Sequence, residues 1–357
     1  MPIVEHRKLP SFDRLREDGQ TVLTLEEAIT QDIRELHIGL LNMMPDAALE
    51  VTERQFMRLL GSANEIVQLF VYPFTVPGLP RSEETQAYID EHYTTFDHLR
   101  EVGLDAIIIT GANVANPHLD EEPFWDTLTE VMAWAKDNVT SVLCSCLSTH
   151  ALMKYYYQID RIPLPQKRWG VFSHRVVHKS HPLLLNINTR FDVPHSRHNA
   201  ITREHLEAVG LPILIESKTG GVHMAVSPDH LRVVYFQGHP EYDINSLLKE
   251  YKREVLRYLN DERDEPPFPK HYFNETAMTI ASKYLGTALH AKENGQAIPE
   301  FPEDDILPHL DNTWGDTGKA IFNNWLGLIY KCTGIERKQP FMDGIDPQNP
   351  LGMLEIG

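Results

Sequence analysis

The stretch Ser141-Val-Leu-Cys-Ser-Cys146-Leu-Ser-Thr-His150 decides the fold that this sequence predicts. Its first half is an apolar run with the length of a strand, and its second half opens a helical pattern that continues to Tyr157. A strand that passes directly into a helix is the unit from which parallel sheets are built. We therefore expect Cys146 at the carboxyl end of a strand, which is where α/β folds place their ligands.

The same alternation of strand and helix fills the first 160 residues. Each predicted strand is a nearly continuous apolar run, which is typical of a parallel sheet covered on both faces. The expected strands are 36–44, 65–72, 104–110 and 139–146, and the expected helices are 53–60, 88–102, 124–138 and 147–157. The predicted fold class is α/β, with a mostly parallel sheet flanked by helices in the flavodoxin-like manner.

The composition excludes several classes of function. The 357 residues carry a formal net charge of −18, which argues against nucleic acid or an anionic membrane surface as the main partner. No apolar run approaches the ~18 residues of a membrane span, and the first residues lack the apolar segment of a signal peptide. Three cysteines, an odd number, do not suggest a disulfide framework. We expect a cytoplasmic protein that binds neither nucleic acid nor membrane.

A second segment, Val233-Val-Tyr-Phe-Gln-Gly-His239-Pro-Glu241-Tyr-Asp243, is also an apolar strand that ends in reactive side chains. Pro240 fixes the backbone between an imidazole and a carboxylate. The carboxylate of Glu241 can hold the imidazole tautomer that leaves the other ring nitrogen free for a thiol. A single histidine is more often a satisfied polar group, but this spacing beside a glycine and a proline favours function. Cys146, His239 and Glu241 thus predict a nucleophilic acyl-transfer site.

The two neighbouring cysteines are expected to differ in role. A cysteine on a buried strand is usually a small packed side chain, and Cys144, further inside the strand, fits that description. Cys146 lies where the strand meets the helix, so the helix dipole favours its thiolate. His150 follows about one helical turn later. Of two interpretations, a second polar group near the thiol and a histidine on the helix surface, the surface position is favoured. We predict no metal site and no permanently bound cofactor.

The second half of the chain has a different pattern. Shorter strand-like pieces are expected at 170–172, 212–216, 222–226 and 232–236, followed by a strongly amphipathic helix at 243–259. Charges and prolines at 261–269 end this compact part, and further helices are expected at 278–290 and 319–330. We predict an α/β catalytic domain at 1–270 and a C-terminal helical segment and tail, 271–357, that packs on the same domain.

Several motifs, taken in chain order, resemble the homoserine O-acyltransferase (homoserine transsuccinylase) family of methionine biosynthesis, which has a class I glutamine amidotransferase-like fold. These motifs are Thr110-Gly-Ala, Val139-Thr-Ser, the turn at Cys146, Pro194-His-Ser-Arg197, Gly238-His-Pro-Glu-Tyr-Asp243 and Asn324-Trp-Leu326. The resemblance covers about residues 1–335 apart from 286–308, which look like an insertion. The tail past about residue 336 looks like an extension.

The resemblance implies a role for each matching residue. The catalytic positions are matched by Cys146 as acyl-thioester nucleophile, His239 as general base and Glu241 as its partner. The positions that bind the substrate L-homoserine are matched by Lys167, Ser196 and Arg253. Chemistry agrees with these roles, because the carboxylate of a zwitterion needs a cation in a low-dielectric pocket and arginine can bind it bidentately.

The implied reaction is a ping-pong transfer of an acyl group from acyl-CoA, a co-substrate, to the γ-hydroxyl of homoserine through a cysteine thioester. The backbone N–H groups of Gly111, Ala112 and Leu147 are candidate donors to the oxyanion. The position that influences the choice of donor in the family is Ala115 here. Because alanine supplies neither bulk nor charge, we expect succinyl-CoA to be preferred over acetyl-CoA.

The sequence also departs from the family's pattern. The family carries a lysine after Met-Pro in an early loop, whereas this chain reads Met44-Pro-Asp46-Ala47-Ala48. This difference removes an expected contact near the oxyanion or the acyl-CoA. Leu147, directly after the nucleophile, occupies a position where tryptophan is common in the family.

Three alternatives stay open at this point. One is a homoserine O-acetyltransferase of the same family, and another is a Cys-His-Glu hydrolase of the glutaminase type. The hydrolase is less favoured because no glycine flanks Cys146 and no synthase domain accompanies it. A non-catalytic binding protein is less favoured because thiol, imidazole and carboxylate are retained together. A homodimer is neither predicted nor excluded.

Overall fold

A computed structural model describes residues 2–63, 67–114 and 116–353 of the chain. Within these residues it contains eleven strands, which belong to one sheet, and twelve α-helices. The strands are Ile3–Glu5 (β1), Val22–Thr24 (β2), Leu36–Met43 (β3), Leu69–Phe74 (β4), Ala106–Ala112 (β5), Ser141–Ser145 (β6), Ile162–Val176 (β7), Arg190–Ala200 (β8), Ile213–Ser217 (β9), Gly221–Val226 (β10) and Val233–Phe236 (β11). The α-helices are Pro10–Glu17 (α1), Leu25–Ile29 (α2), Leu49–Ala63 (α3), Glu83–His92 (α4), Phe96–Val102 (α5), Trp125–Asn138 (α6), Leu147–Tyr157 (α7), Arg203–Ala208 (α8), Ser246–Leu259 (α9), Glu275–Glu293 (α10), Glu303–Ile306 (α11) and Gly315–Cys332 (α12).

The sheet has a parallel half and an antiparallel half that meet at β11. Its strand order is β2-β1-β4-β3-β5-β6-β11-β10-β9-β7-β8. Neighbouring strands from β2 to β11 are parallel, and those from β11 to β8 are antiparallel. Seven of the eleven described strands therefore lie in the parallel half, and the predicted α/β class with a mostly parallel sheet is confirmed.

Helices cover both faces of the parallel half, because its strands carry apolar side chains on both sides. Ile108 of β5 belongs to an apolar cluster that also contains Phe56 of α3. Its neighbour Ile107 belongs to a second cluster, which contains Leu128 of α6 and Leu152 of α7. The alternation along one strand thus divides the core into two layers.

The elements around the predicted nucleophile were predicted most closely. The helix at 147–157 coincides with α7, and β6 lies inside the predicted strand 139–146. The predicted helix 88–102 is wrong as a single element, because the chain becomes extended at Tyr93 and divides it into α4 and α5. Residues 65 and 66 of the predicted strand 65–72 lie outside the described residues.

Other strands were missed or underestimated. β1 and β2 were missed, since three residues give no periodicity to detect. β7 is fifteen residues long rather than the predicted three at 170–172, and it pairs with β8. The first part of β7 is mainly exposed and β8 contains many polar residues, so the hairpin lacks the apolar runs by which the parallel strands were found.

The C-terminal residues contact the α/β layers at several places. Phe322 and Trp325 of α12 are fully buried in the same cluster as Phe56. α10 and the segment up to Leu310 form a third cluster with α9. Phe341 of the tail packs against Cys332 and belongs to a small cluster of its own. The domain boundary at residue 270 stays a prediction. In the described parts of the chain, no helix is long and apolar enough to cross a membrane.

Candidate active site

Cys146 occupies a strained turn between β6 and α7. It is the N-cap of α7, with φ 56° and ψ −107°, and its side chain is partly exposed. A positive φ is unfavourable for a residue with a Cβ, and such strain persists only where the surrounding structure enforces it. The turn directs the thiol outward at the carboxyl edge of the sheet. Cys144 is fully buried two residues earlier, and burial raises the pKa of its thiol well above the ordinary value.

Hydrogen bonds from neighbouring strands enforce this turn. The Cys146 N–H donates to the carbonyl of Phe236 at 2.8 Å, and the Thr149 hydroxyl donates to the same carbonyl at 2.7 Å. The Ser148 hydroxyl donates to the Ile109 carbonyl at 2.7 Å. The first turn of α7 is therefore tied to β5 on one side and to β11 on the other.

His239 and Glu241 follow β11 and form the predicted pair. His239 Nδ1 lies 2.7 Å from Glu241 Oε1, and both side chains are buried. With Nδ1 engaged by the carboxylate, Nε2 is the nitrogen left for Cys146, which lies near enough to raise the pKa of the imidazole. The structure therefore brings the thiol, imidazole and carboxylate to one site, and their catalytic roles stay a prediction.

Electrostatics favour the protonated form of His239. Burial, the largest effect, lowers the pKa of the imidazole, but the charge of Glu241 and the sulfur of Cys146 outweigh it. The pKa of His239 is thus raised well above its ordinary value. The imidazole can hold a proton beside a thiolate, which is the state required for nucleophilic attack.

Close packing around position 238 explains why a glycine precedes the histidine. A Cβ at this position would lie 2.6 Å from Val193 Cγ1 and 2.9 Å from rings of His195 and His223. The backbone therefore approaches β8 and β10 more closely than any other residue would allow. The His239 N–H donates to the Pro194 carbonyl at 2.9 Å, which anchors the catalytic loop to β8.

Asp243, the last residue of the same motif, fastens the loop to α3. Its carboxylate accepts a hydrogen bond from Gln55 Nε2 at 3.0 Å, lies 3.4 Å from Arg54 Nη2 and contacts Arg58. Arg58 also donates to the backbone carbonyl of Glu241 at 3.2 Å. The motif is thus held from both ends, which fixes the position of the imidazole.

Gly111 and Leu147 lie next to the nucleophile. A Cβ built on Gly111 would be 3.8 Å from Cys146 Cβ and 3.9 Å from the Leu147 nitrogen. Leu147 begins α7, where backbone N–H groups have no partner within the helix. Ala112 ends β5 one residue further on. All three positions suggested for oxyanion donors therefore lie at the same strand end or helix start. Ala115, the position expected to influence the donor, lies outside the described residues.

The loop that lacks the family's lysine is bound by an arginine instead. Arg81 Nη1 donates to the Met44 carbonyl at 2.5 Å and lies 3.4 Å from the Asp46 carboxylate. The Arg81 side chain is only 6% exposed. Met44 Sδ in turn lies 3.6 Å from the Cβ position of Gly111, so this loop borders the nucleophile.

Lys167 and Ser196 meet at a carboxylate that sequence reasoning missed. Lys167 Nζ is 3.2 Å from Glu250 Oε2, and the Ser196 hydroxyl donates to the same oxygen at 2.7 Å. The Tyr242 hydroxyl donates to the other oxygen of Glu250 at 2.9 Å. The Tyr242 ring stacks on His239 with centroids 4.3 Å apart, so this cluster adjoins the catalytic pair.

Glu250 is charged despite its burial. Burial, the largest effect, raises the pKa of its carboxyl, but Lys167, Ser196 and Tyr242 lower it further than burial raises it. The signal available in the sequence was its position, three residues before Arg253 on an amphipathic helix, which places both on one face. The family resemblance implies two cations and a hydroxyl at this site, and no carboxylate.

Arg253 is not brought to this cluster. Its side chain is 57% exposed, and its Nε lies 3.2 Å from the Glu254 carboxylate. Its role in substrate binding stays a prediction. His150, expected on the surface of α7, is instead 2% exposed and contacts Gln237 at 3.4 Å. The surface expectation was wrong because the first turn of α7 is buried on every side. Within the described residues, no His, Cys, Asp and Glu cluster could hold a metal ion.

A partly exposed thiol on a strained strand-to-helix turn, beside a buried histidine–glutamate pair, is typical of α/β enzymes with a cysteine nucleophile. A family model described as homoserine O-succinyltransferase matches residues 2–335. This chain belongs to the homoserine O-succinyltransferase family.

Relatives support this assignment over the whole chain. The homoserine O-succinyltransferases of Methylococcus capsulatus and Methylobacter tundripaludum are each 60% identical over 354 residues, which are 99% of this chain and 100% of the relative. That of Thiothrix nivea is 56% identical over 356 residues, 99% of each chain.

Solved structures are more distant. A glutamine amidotransferase from Methylobacillus flagellatus is 12% identical, covers 83% of this chain and 95% of its own, and has a TM-score of 0.45. A GMP synthase subunit from Thermoplasma acidophilum is 15% identical, covers 59% of this chain and 86% of its own, and has a TM-score of 0.40. At these values the likeness carries no argument about function.

Proposed function

We propose that this protein is a homoserine O-succinyltransferase of methionine biosynthesis. It moves the succinyl group of succinyl-CoA to the γ-hydroxyl of L-homoserine through a thioester on Cys146. The observation that carries the proposal is the contact between Cys146, His239 and Glu241 at the edge of the sheet, in a chain of this family. Cytoplasmic location and the absence of a permanently bound cofactor remain expectations.

The first half-reaction forms the thioester. The Cys146 sulfur attacks the carbonyl carbon of succinyl-CoA, and negative charge develops on the carbonyl oxygen. The N–H groups of Gly111, Ala112 and Leu147 are the proposed donors to that oxygen. The bond to the coenzyme A sulfur then breaks, and His239 gives its proton to the leaving thiolate.

The second half-reaction transfers the acyl group. His239 Nε2 takes the proton of the homoserine γ-hydroxyl as the hydroxyl oxygen attacks the thioester carbonyl. The Cys146 sulfur leaves as a thiolate beside the imidazolium, so the enzyme returns to its starting state. Glu241 stabilises the imidazolium and holds the ring in the required orientation.

Homoserine is a zwitterion, and the cluster beside His239 offers both signs of charge. Within the cluster, Lys167 is the proposed partner of its carboxylate and Glu250 the proposed partner of its ammonium group. Arg253, which lies outside the cluster in this structure, is a second proposed partner of the carboxylate. Because Tyr242 joins Glu250 to the face of His239, an amino acid bound there would have its side chain near the imidazole. Ser196 orients Glu250 through its hydroxyl.

Intact-mass spectrometry tests the proposal directly. Mixing the protein with succinyl-CoA should add the mass of one succinyl group, and the adduct should disappear on addition of L-homoserine with formation of O-succinylhomoserine. Cys146→Ser should give no such adduct. The same measurement with acetyl-CoA should give slower acylation, and faster acylation would support the acetyltransferase. Ammonia release from glutamine without any adduct from acyl-CoA would support the hydrolase instead.

A further inference from the structure

A cavity of about 300 Å³ opens beside Lys167, between β7, the turn after β9 and the segment before α10. Its lining includes three cationic side chains, those of Lys167, Arg168 and Lys270, together with the hydroxyl-bearing Thr219. Among the described residues that line it there is no Asp or Glu. The chain as a whole has a formal net charge of −18, whereas the side chains that line this cavity are net positive.

The excess of positive charge continues beneath the cavity wall. Arg168 Nη1 and Arg197 Nη2 each donate to the Gly220 carbonyl at 3.0 Å. Arg197 is only 4% exposed, and its remaining hydrogen bonds go to the Asn199 carbonyl and the His195 ring. In the described part of the chain neither guanidinium forms an ion pair with a carboxylate. Burial, followed by the charge of Arg168, lowers the pKa of Arg197 to about 9.

This arrangement is electrostatically incomplete. Two guanidinium groups that share one carbonyl repel each other, and a carbonyl supplies only a partial negative charge. A mobile anion in the adjoining cavity would offset that repulsion. Phosphate is the anion that arginine and lysine together recognise best, arginine through paired N–H groups and lysine as a point charge.

The cavity is connected to the catalytic pair through a short chain of contacts. Lys167, in its lining, is 3.2 Å from Glu250. Glu250 accepts the hydroxyl of Tyr242, and the Tyr242 ring stacks on His239. Lys167 therefore joins the cavity to the catalytic histidine through two intervening side chains, those of Glu250 and Tyr242.

We propose that this cavity binds the phosphate groups of the coenzyme A portion of the acyl donor while the thioester lies at Cys146. This inference rests on the proposed function, because that function supplies acyl-CoA as the donor. Lys270 and Arg168 provide the charge, and Thr219 provides a neutral hydrogen-bond donor. Binding is non-covalent, so the cavity contributes to donor affinity and leaves the chemistry at Cys146 unchanged.

Two donors separate phosphate binding from thioester chemistry. Succinyl-CoA carries the phosphates, whereas the succinyl thioester of N-acetylcysteamine has the same reacting group and no phosphate. The measured quantity is the ratio of kcat/KM for the first donor to kcat/KM for the second. Lys270→Glu should lower this ratio about tenfold, Lys270→Gln about threefold, and Lys270→Arg should keep it near the wild-type value. Lys283→Glu, which reverses an exposed charge on α10, is the matched control and should leave the ratio unchanged.

Lys270 is suited to this test because its side chain is exposed, while its backbone makes the structural contacts to Trp169 and Val171. Arg168→Gln is the second variant and should lower the ratio at least as much as Lys270→Gln. An unchanged ratio in both Lys270→Glu and Arg168→Gln would overturn the phosphate site, as would an equal loss in Lys283→Glu. If the wild-type protein transferred a succinyl group to homoserine from neither donor, the proposed function itself would fail.

Discussion

The two halves of the sheet contribute to the site in different ways. The parallel half delivers Cys146 and His239 from the ends of adjacent strands, β6 and β11, and backbone hydrogen bonds fix both turns. The antiparallel half delivers Lys167 and Ser196 from the β7–β8 hairpin. Ser196 pairs with Trp169 in the strand ladder, and the Lys167 and Ser196 side chains meet at the Glu250 carboxylate. Under the proposed function, we expect the parallel half to supply the chemistry and the antiparallel half to contribute to affinity for homoserine.

The largest expected effect is at the end of β6. Cys146→Ser and Cys146→Ala should abolish succinyl transfer, a loss of about 10⁴-fold or more, because no other described thiol faces His239. Steady-state assays of O-succinylhomoserine formation measure the loss. The temperature of thermal unfolding should remain close to that of wild type, because the substitution is small and the side chain is partly exposed.

Cys144→Ala is the matched control, on the same strand and two residues away. It removes a buried sulfur, so it should lower stability by about 1 kcal/mol while retaining most of the activity. If Cys144→Ala were inactive and Cys146→Ala active, the assignment of the nucleophile would be wrong.

The second expected effect concerns the carboxylate behind the imidazole. Glu241→Gln should lower kcat/KM about a hundredfold or more, because the amide cannot stabilise the imidazolium. It should also change the dependence of stability on pH. Since the folded-state pKa of His239 is raised, the pair stabilises the fold fully below about pH 6.5, and this contribution is lost as the pH rises through the raised value.

Thermal unfolding at two pH values measures this linkage. Relative to wild type, Glu241→Gln should unfold at a lower temperature, and the difference should be larger near pH 6 than near pH 10. An equal difference at both values would show that His239 and Glu241 are not a charged pair in the folded protein. Glu303→Gln, which removes a carboxylate paired with Lys252, is a control for general loss of an ion pair.

The third expected effect concerns Glu250 of α9, which the antiparallel half contacts through Lys167 and Ser196. Glu250→Gln should raise the KM for homoserine about tenfold to a hundredfold, because it removes the proposed partner of the ammonium group. Release of coenzyme A in the first turnover, measured in a burst experiment without homoserine, should remain within about threefold of wild type. A large loss of that burst with an unchanged KM would place Glu250 in the acylation step instead.

The same contrast explains what the sequence could predict. Cys146, His239 and Glu241 follow apolar strands that are recognisable by themselves, and parallel strands bring their carboxyl ends together by topology alone. Glu250 could not be found in this way, because it meets Lys167 and Ser196 only through the long β7–β8 hairpin. The first part of β7 is exposed, and β8 carries buried polar residues such as His195 and Arg197, so no apolar run marks either strand.

The burial of His150 and the exposure of Arg253 were missed for a related reason. Both lie on helices, where spacing gives the face but not what covers it. α7 is enclosed between β5 and β11, whereas the face of α9 near Arg253 is open to solvent. Predicting either environment would have required the position of the neighbouring elements.

The smallest expected effect tests whether Arg253 of α9 binds homoserine at all. Arg253 and Arg257 lie one turn apart on α9, both contact Glu254, and they are 57% and 49% exposed. Arg253→Ala should raise the KM for homoserine about threefold to tenfold, less than Glu250→Gln, because solvent screens a half-exposed charge. Arg257→Ala should change this KM less than about twofold, and neither variant should reduce the burst of coenzyme A. Equal effects of the two substitutions would show that Arg253 acts only as a partner of Glu254, and the carboxylate of homoserine would then depend on Lys167 alone.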